Sequence, residues 1–254
     1  MRVLENPERK LFAKCIRPEI EFLFIRAADI PEYVQEGVVD LGITGVDLVK
    51  ETSAKVKILQ ELDYGYCSLI LAVPDASKIK SLRSLTGKRV ATKFPNLTKK
   101  FIKGVEIVRV SGSAEVAPYL GIADAVVDLT SSGTTLKTNK LRVVKSLMDS
   151  RACVIGKRGK MSEELVNVIS ALRSVLEARG RKYIMVNVRR ENLEAVRRIM
   201  PGMEGPTIMQ ILGEEDYFAV HSVVDEKGIL DLVRRLKKAG AKDILVTPIE
   251  RIIP

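Results

Sequence analysis

The chain has 254 residues, 46% of them apolar and 29% charged, a balance that excludes a mainly disordered protein and suits one large or two small domains. No apolar run approaches the ~18 residues of a membrane-spanning helix, and Met1–Arg9 has no apolar core of a secretory signal, so a cytoplasmic protein is expected. Lys plus Arg number 42 against 32 Asp plus Glu, and the excess is uneven: 29 basic to 21 acidic side chains in residues 1–180, but 13 to 11 in residues 181–254. The first part therefore suits a polyanion such as nucleic acid, acidic lipid, a nucleotide or a sugar phosphate.

In chain order, Glu21–Arg26 reads as a strand, Ile30–Glu36 as a short helix stopped by Gly37, and Val38–Ile43 as a second strand, with Gly45 and Asp47 opening a helix. Cys67–Val73 is a continuous apolar run ended by Pro74, the pattern of a strand buried on both faces. Lys88–Thr92, Glu106–Val110 and Ala125–Leu129 are further short strands, with helical spacing in Pro95–Lys103 and Ser113–Leu120 between them. Such alternation predicts parallel α/β structure. Ser162–Arg179 is the clearest helix. Ser162 can cap it, and Glu163 and Glu164 suit its positive end. Leu165, Val168, Ile169, Leu172, Val175 and Leu176 form one apolar stripe, and Gly180 ends the helix.

Residues 182–254 read strand, helix, strand, strand, helix, strand over Tyr183–Val188, Glu191–Met200, Thr207–Leu212, Tyr217–Val224, Lys227–Ala239 and Asp243–Thr247. This is the ferredoxin-like βαββαβ order.

Several chemistries are excluded by supply. The three cysteines, Cys15, Cys67 and Cys153, are far apart and show no metal-ligand spacing, so they read as reduced thiols. One histidine, His221, cannot furnish a multi-histidine metal site, and it reads as a core or interface residue. Nine Asn plus Gln among many Lys, Arg and Glu lean toward a thermophile. Twelve aromatic residues, none of them Trp, and no helix-turn-helix signal argue against nucleic acid as the partner.

The richest stretch is Glu115-Val-Ala-Pro-Tyr-Leu-Gly121-Ile-Ala123-Asp124-Ala-Val126-Val-Asp128-Leu129-Thr130-Ser131-Ser132-Gly133-Thr134-Thr135-Leu136. A buried strand runs straight into five hydroxyl residues and one glycine. Gly133 permits a sharp turn that converges backbone N–H groups, and Thr130, Ser131, Ser132, Thr134 and Thr135 add hydroxyls. Small donors around a pocket at a strand's carboxyl end suit a phosphate monoester, and Asp128 can accept from sugar hydroxyls. A Ser/Thr-rich turn with Asp128 capping the backbone is the alternative.

This stretch resembles the signature of the ATP phosphoribosyltransferase family, the first enzyme of histidine biosynthesis, at Glu115, Gly121, Ala123, Val126, Asp128, Leu129, Ser132, Gly133, Thr135 and Leu136. Asp40-Leu-Gly-Ile-Thr-Gly45-Val-Asp47, Arg89-Val-Ala-Thr-Lys-Phe-Pro95-Asn96 and Pro201-Gly202-Met-Glu204-Gly-Pro206-Thr207 are similar too, which points to the long form with a regulatory tail. The resemblance implies a two-lobed α/β catalytic domain like type II periplasmic binding proteins, with crossovers near residues 68–72 and 154–158. Lobe I would comprise residues 1–70 and 156–180, lobe II residues 71–155 with the phosphate loop, and residues 181–254 a ferredoxin-like histidine-binding domain.

The implied reaction joins ATP to phosphoribosyl pyrophosphate (PRPP) through adenine N1, with pyrophosphate leaving and Mg2+ neutralising it. Thr130–Thr135 would hold the 5′-phosphate of PRPP, and Glu115 and Asp128 would face the ribose. Arg26 and Lys93 are candidate phosphate partners. L-Histidine would inhibit, with Thr207 as a contact, and dimers would assemble into hexamers. The family opens with a strand, a Lys/Gly-bearing loop and a helix ahead of the stretch matching Asn6–Arg26, and Met1–Leu4 does not supply that strand and loop. The contrasting expectation is a non-catalytic two-lobed sensor or regulatory homologue. A phosphate cradle favours the enzyme.

Overall fold

The computed structural model describes residues 11–14, 20–131, 133, 136, 138–213 and 216–253. The chain divides into two compact units, Met1–Leu165 and Val166–Pro254.

The first unit contains two principal sheets. Short strands β1 (Phe12–Lys14) and β2 (Glu21–Leu23) form a hairpin-like pair ahead of them. The smaller sheet has β10 (Ala152–Lys157) between β3 (Leu41–Gly45) and β4 (Val56–Glu61), antiparallel to both. Helices α1 (Ile30–Glu36) and α2 (Val46–Thr52) share its core, where Val34, Val46, Val49, Val56, Cys153 and Ile155 are buried. Gly42 makes this packing possible: a Cβ there would lie 2.4 Å from Ile30 Cγ2, so the helix rests directly on bare backbone.

The larger sheet is ordered β7-β6-β8-β5-β9, from β5 (Cys67–Pro74), β6 (Arg89–Thr92), β7 (Glu106–Arg109), β8 (Ala125–Thr130) and β9 (Leu141–Ser150). Apolar side chains alternate across it with period two. Leu69, Leu71, Val73, Val90, Ala125 and Val127 join one core with α3 (Pro95–Phe101), while Ile70, Ala72 and Val126 pack with Ala114, Leu136 and Leu141 on the other face. Only β7-β6-β8 is parallel; β5 runs antiparallel to β8 and β9. The expected parallel structure thus holds for that half alone, because β5 and β10 enter their sheets by crossing from the other lobe, which reverses their direction. The chain crosses at residues 62–66 and at Arg151.

Helical spacing over Ser113–Leu120 yields a 3-10 turn at Ala114–Val116 and no α-helix. Pro118 has no N–H to continue one. Strands β1, β4, β9 and β10 are additional to the sequence reading.

Helix α4 (Glu163–Ala178) starts in the first unit and from Val166 belongs to the second. Of its expected apolar stripe Ile169 is buried, whereas Val175 is 41% exposed. The chain end folds back on it, Ile252 donating its N–H to Ser174 O at 2.9 Å. Strands β11 (Arg181–Arg189), β12 (Thr207–Gln210), β13 (Tyr217–Asp225) and β14 (Lys242–Pro248), with helices α5 (Leu193–Ile199) and α6 (Ile229–Lys238), give the βαββαβ order. The sheet order β12-β13-β11-β14, antiparallel throughout, is ferredoxin-like. Ile184, Val186, Val188, Val220 and Val224 alternate onto the helix side, against Val196 of α5 and Leu236 of α6.

Candidate active site

Because β6, β7 and β8 are parallel, their carboxyl ends lie side by side and deliver to one edge residues 93–94, residues 110–113, and Ser131 with Gly133. The register sets which side chains meet there. Ala91 and Val126 are paired neighbours on the same face, so Lys93 and Asp128, each two residues further on, project to that face too. They form an ion pair, Lys93 Nζ to Asp128 Oδ1 at 3.1 Å, the carboxylate being well shielded and the ammonium more open. The ammonium also stands 5.5 Å from the centre of the Phe94 ring, which adds a cation–π attraction. Asp128 Oδ1 further accepts the Leu129 N–H at 2.7 Å.

The loop after β8 turns as its composition requires. Gly133 adopts φ +71°, in the left-handed region, and its N–H donates to Thr130 Oγ1 at 3.0 Å. Ser131 is exposed and Thr130 half-buried. Of the predicted cradle, Ser132, Thr134 and Thr135 lie outside the described residues.

Glu115 sits half-buried in the 3-10 turn Ala114–Val116. Ala114 of that turn packs against Val126, on the Asp128 face of the sheet, which brings both predicted acids to one side. Arg26 is exposed in the segment before α1, and no hydrogen bond or ion pair ties it to Lys93, Asp128 or Thr130. Among the described residues no group of three or more His, Cys, Asp or Glu side chains could hold a metal by itself.

In the second unit, Thr207 opens the exposed edge strand β12 and pairs across to His221 of β13. His221 Nδ1 is hydrogen-bonded to Tyr183 Oη at 2.5 Å, and its Nε2 is buried with no partner among the described residues.

Two connections between the lobes escaped the sequence reading. Asp47 is hydrogen-bonded to Ser150, and Glu51 reaches the start of α3. The available signal was positional: Asp47 and Asn96 both stand in stretches singled out for resemblance, and Asp47 and Glu51 are four residues apart on one helix face.

Comparison with known proteins agrees with this arrangement. The profile of the family described as ATP phosphoribosyltransferase matches residues 26–177, and that of its C-terminal domain matches residues 178–251. The chain is 48% identical to ATP phosphoribosyltransferase of Methanosarcina acetivorans, over 97% of this chain and 89% of that one. With the enzyme of Methanothermobacter thermautotrophicus it shares 44%, over 100% and 94%. Among solved structures it resembles an ATP phosphoribosyl transferase (HisG:HisZ) complex from Thermotoga maritima, with 28% identity and a TM-score of 0.57 over 66% of this chain and 83% of that one. On these matches the chain belongs to the ATP phosphoribosyltransferase family, enzymes of histidine biosynthesis.

Proposed function

We propose that this protein transfers the phosphoribosyl group of PRPP to N1 of ATP, giving phosphoribosyl-ATP and pyrophosphate. The observation that carries the proposal is the Lys93–Asp128 pair beside the Thr130–Gly133 turn, at the shared carboxyl ends of β6 and β8. In the reaction the adenine N1 lone pair forms a bond to ribose C1, and the C1–oxygen bond breaks with its electrons leaving on pyrophosphate. Positive charge grows on the ribose as negative charge grows on the leaving group.

This chain's residues suit each demand. The residue 130–135 loop, Thr130 and Gly133 among it, holds the 5′-phosphate through hydroxyls and backbone N–H groups. Asp128 and Glu115 face the ribose and its developing oxocarbenium charge. Lys93, held at Asp128, places its ammonium where it can also meet phosphate oxygens. No covalent nucleophile is required; aligning two polyanions is the main task, and the basic balance of residues 1–180 assists it. Mg2+ would supply charge neutralisation on the phosphates, and because it keeps several waters it needs only one or two protein carboxylates, a role that Asp128 and Glu115 fit.

In this reading the two catalytic lobes are the one built on the smaller sheet β3-β10-β4 and the one built on the larger sheet β7-β6-β8-β5-β9. The crossovers therefore lie at residues 62–66 and Arg151 and not near 68–72 and 154–158. Residues 181–254 bind L-histidine as feedback inhibitor, with Thr207 in contact. The working form is a cytoplasmic homo-oligomer of dimers built into hexamers. The test is an assay of the full chain with ATP, PRPP and Mg2+, following pyrophosphate and phosphoribosyl-ATP, with and without histidine. Turnover suppressed by histidine is expected. Folded protein that forms neither product would overturn the catalytic reading.

A further inference from the structure

Helix α2 belongs to the smaller sheet yet is bound at both ends to the lobe of the larger one. At its start Asp47, only 4% exposed, accepts the Ser150 hydroxyl on Oδ1 at 2.6 Å and donates its N–H to Ser150 Oγ at 3.0 Å. Ser150 is the last residue of β9, and the next residue, Arg151, accepts the Val46 N–H at 3.0 Å. One helical turn later Glu51 reaches α3. Its two carboxylate oxygens accept the N–H groups of Asn96 and Leu97, each at 2.9 Å, and its carbonyl accepts Asn96 Nδ2 at 2.8 Å.

Helix α3 has no cap of its own. Phe94 at its N-cap position makes no side-chain cap bond, so two of the orphan N–H groups at its start are satisfied from the other lobe. A carboxylate is the fitting partner there, since it also meets the positive end of the helix. The consequence reaches the site through a short, tightly held segment. Thr92 is fully buried and accepts the Phe94 N–H at 2.9 Å; Phe94 is 2% exposed; Pro95 fixes its own φ at the first helical position. Lys93 is the exposed residue in this segment, anchored by the sheet on one side and by Glu51 on the other.

We propose that Glu51 is a positioning residue for Lys93, acting across the two lobes by holding the start of α3 so that the ammonium stays at Asp128. The proposal rests on the reading of the Asp128–Gly133 region as the PRPP site. Displacements of about 1 Å at a reacting centre cost up to about a hundredfold in rate, so loss of this hold is visible in kinetics.

The test is steady-state kinetics and thermal unfolding of the full chain with ATP, PRPP and Mg2+. Glu51→Ala should lower kcat/KM for PRPP about tenfold, and Glu51→Gln, which keeps the size and one acceptor oxygen, about threefold. Lys93→Ala should cause a loss of its own, and the Glu51→Ala, Lys93→Ala double variant should be no worse than Lys93→Ala alone. A merely structural Glu51 would lower the melting temperature while the two losses multiplied; that result, or Glu51→Ala with unchanged kcat/KM, overturns the proposal. If Glu51→Ala does not fold, the Glu51→Gln cycle with Lys93→Ala gives the same answer. Coupling of positions 51 and 93 combined with unchanged PRPP affinity in Asp128→Ala would sustain the Glu51–Lys93 link and reject the site assignment instead.

Discussion

The sheet β7-β6-β8-β5-β9 and the sheet β12-β13-β11-β14 use comparable apolar strands but place their polar groups differently. In the first, three parallel neighbours end together, so residues distant in sequence, Lys93 and Asp128, meet at 3.1 Å along one edge. In the second every neighbour is antiparallel, and strand ends alternate between the two edges. Its polar pairs arise instead within the sheet, by register: Thr207 faces His221 across β12–β13, and Tyr183 bonds His221 from β11. In the proposed reading the larger sheet therefore presents the concentrated site for an anionic substrate, and the tail the dispersed face for a zwitterionic effector. This matches the +8 and +2 net charges of residues 1–180 (29 minus 21) and 181–254 (13 minus 11).

The sharpest way to break this contrast is to remove the carboxylate at the parallel edge. Asp128→Ala should weaken PRPP binding and lower kcat/KM by about a hundredfold or more, the size expected when one pre-aligned charged group leaves a transition state. Isothermal titration with PRPP and the pyrophosphate assay check it. The melting temperature should move little, since the ammonium left behind on Lys93 is 42% exposed and finds water in place of the carboxylate. Unchanged PRPP affinity would mean that the strand ends are not the phosphoribosyl site.

A smaller effect is expected in the tail. Thr207→Ala removes one hydroxyl from an exposed edge strand and should raise the histidine concentration needed for half-inhibition about fivefold, near the worth of one hydrogen bond. Uninhibited kinetics should stay the same, because Thr207 belongs to the second unit, whereas the proposed catalytic residues Glu115 and Asp128 belong to the first. An inhibition curve identical to that of the parent chain would remove Thr207 from the effector site.

How much of this was legible in the sequence follows from the range of each interaction. Ile30–Glu36 could be read to the residue, because its proline start and Gly37 stop are local, and the CSLILAV run declared itself as a central strand. The tail's order matches the sequence pattern because its two central strands, Arg181–Arg189 and Tyr217–Asp225, alternate cleanly between buried and more exposed positions. Strand β9 did not show itself: an edge strand needs only one apolar face, and Arg142, Lys145, Ser146 and Asp149 interrupt its pattern. Asp128 and the glycine turn were visible as residues, but the pairing with Lys93 depends on the parallel β6–β8 register, and Glu51 on the packing of α2 against α3. Neither leaves a trace at short range.

The last expected effect leaves turnover untouched and sharpens the contrast from another side. Residues 181–254 hold no cysteine, so thiol chemistry reports on the first unit alone. Burial, followed by the carboxylates of Glu61 and Asp47, pushes the Cys153 thiol up to about 11, and burial with Asp47 also raises that of Cys67, which is only half-buried. Both shifts favour the neutral thiol in the folded state. The stability they lend is therefore whole below the ordinary thiol range and fades as pH climbs through the folded values. In a Cys15→Ser background, iodoacetamide at pH 8 should label Cys67 slowly and leave Cys153 unmodified, as read by peptide mass spectrometry. Raising the pH to 10 should speed Cys67 far more than Cys153, since the thiolate is the attacking species. Equal labelling of the two at pH 8 would show that β10 opens readily, and the smaller sheet could not then serve as the fixed support against which α2 holds α3.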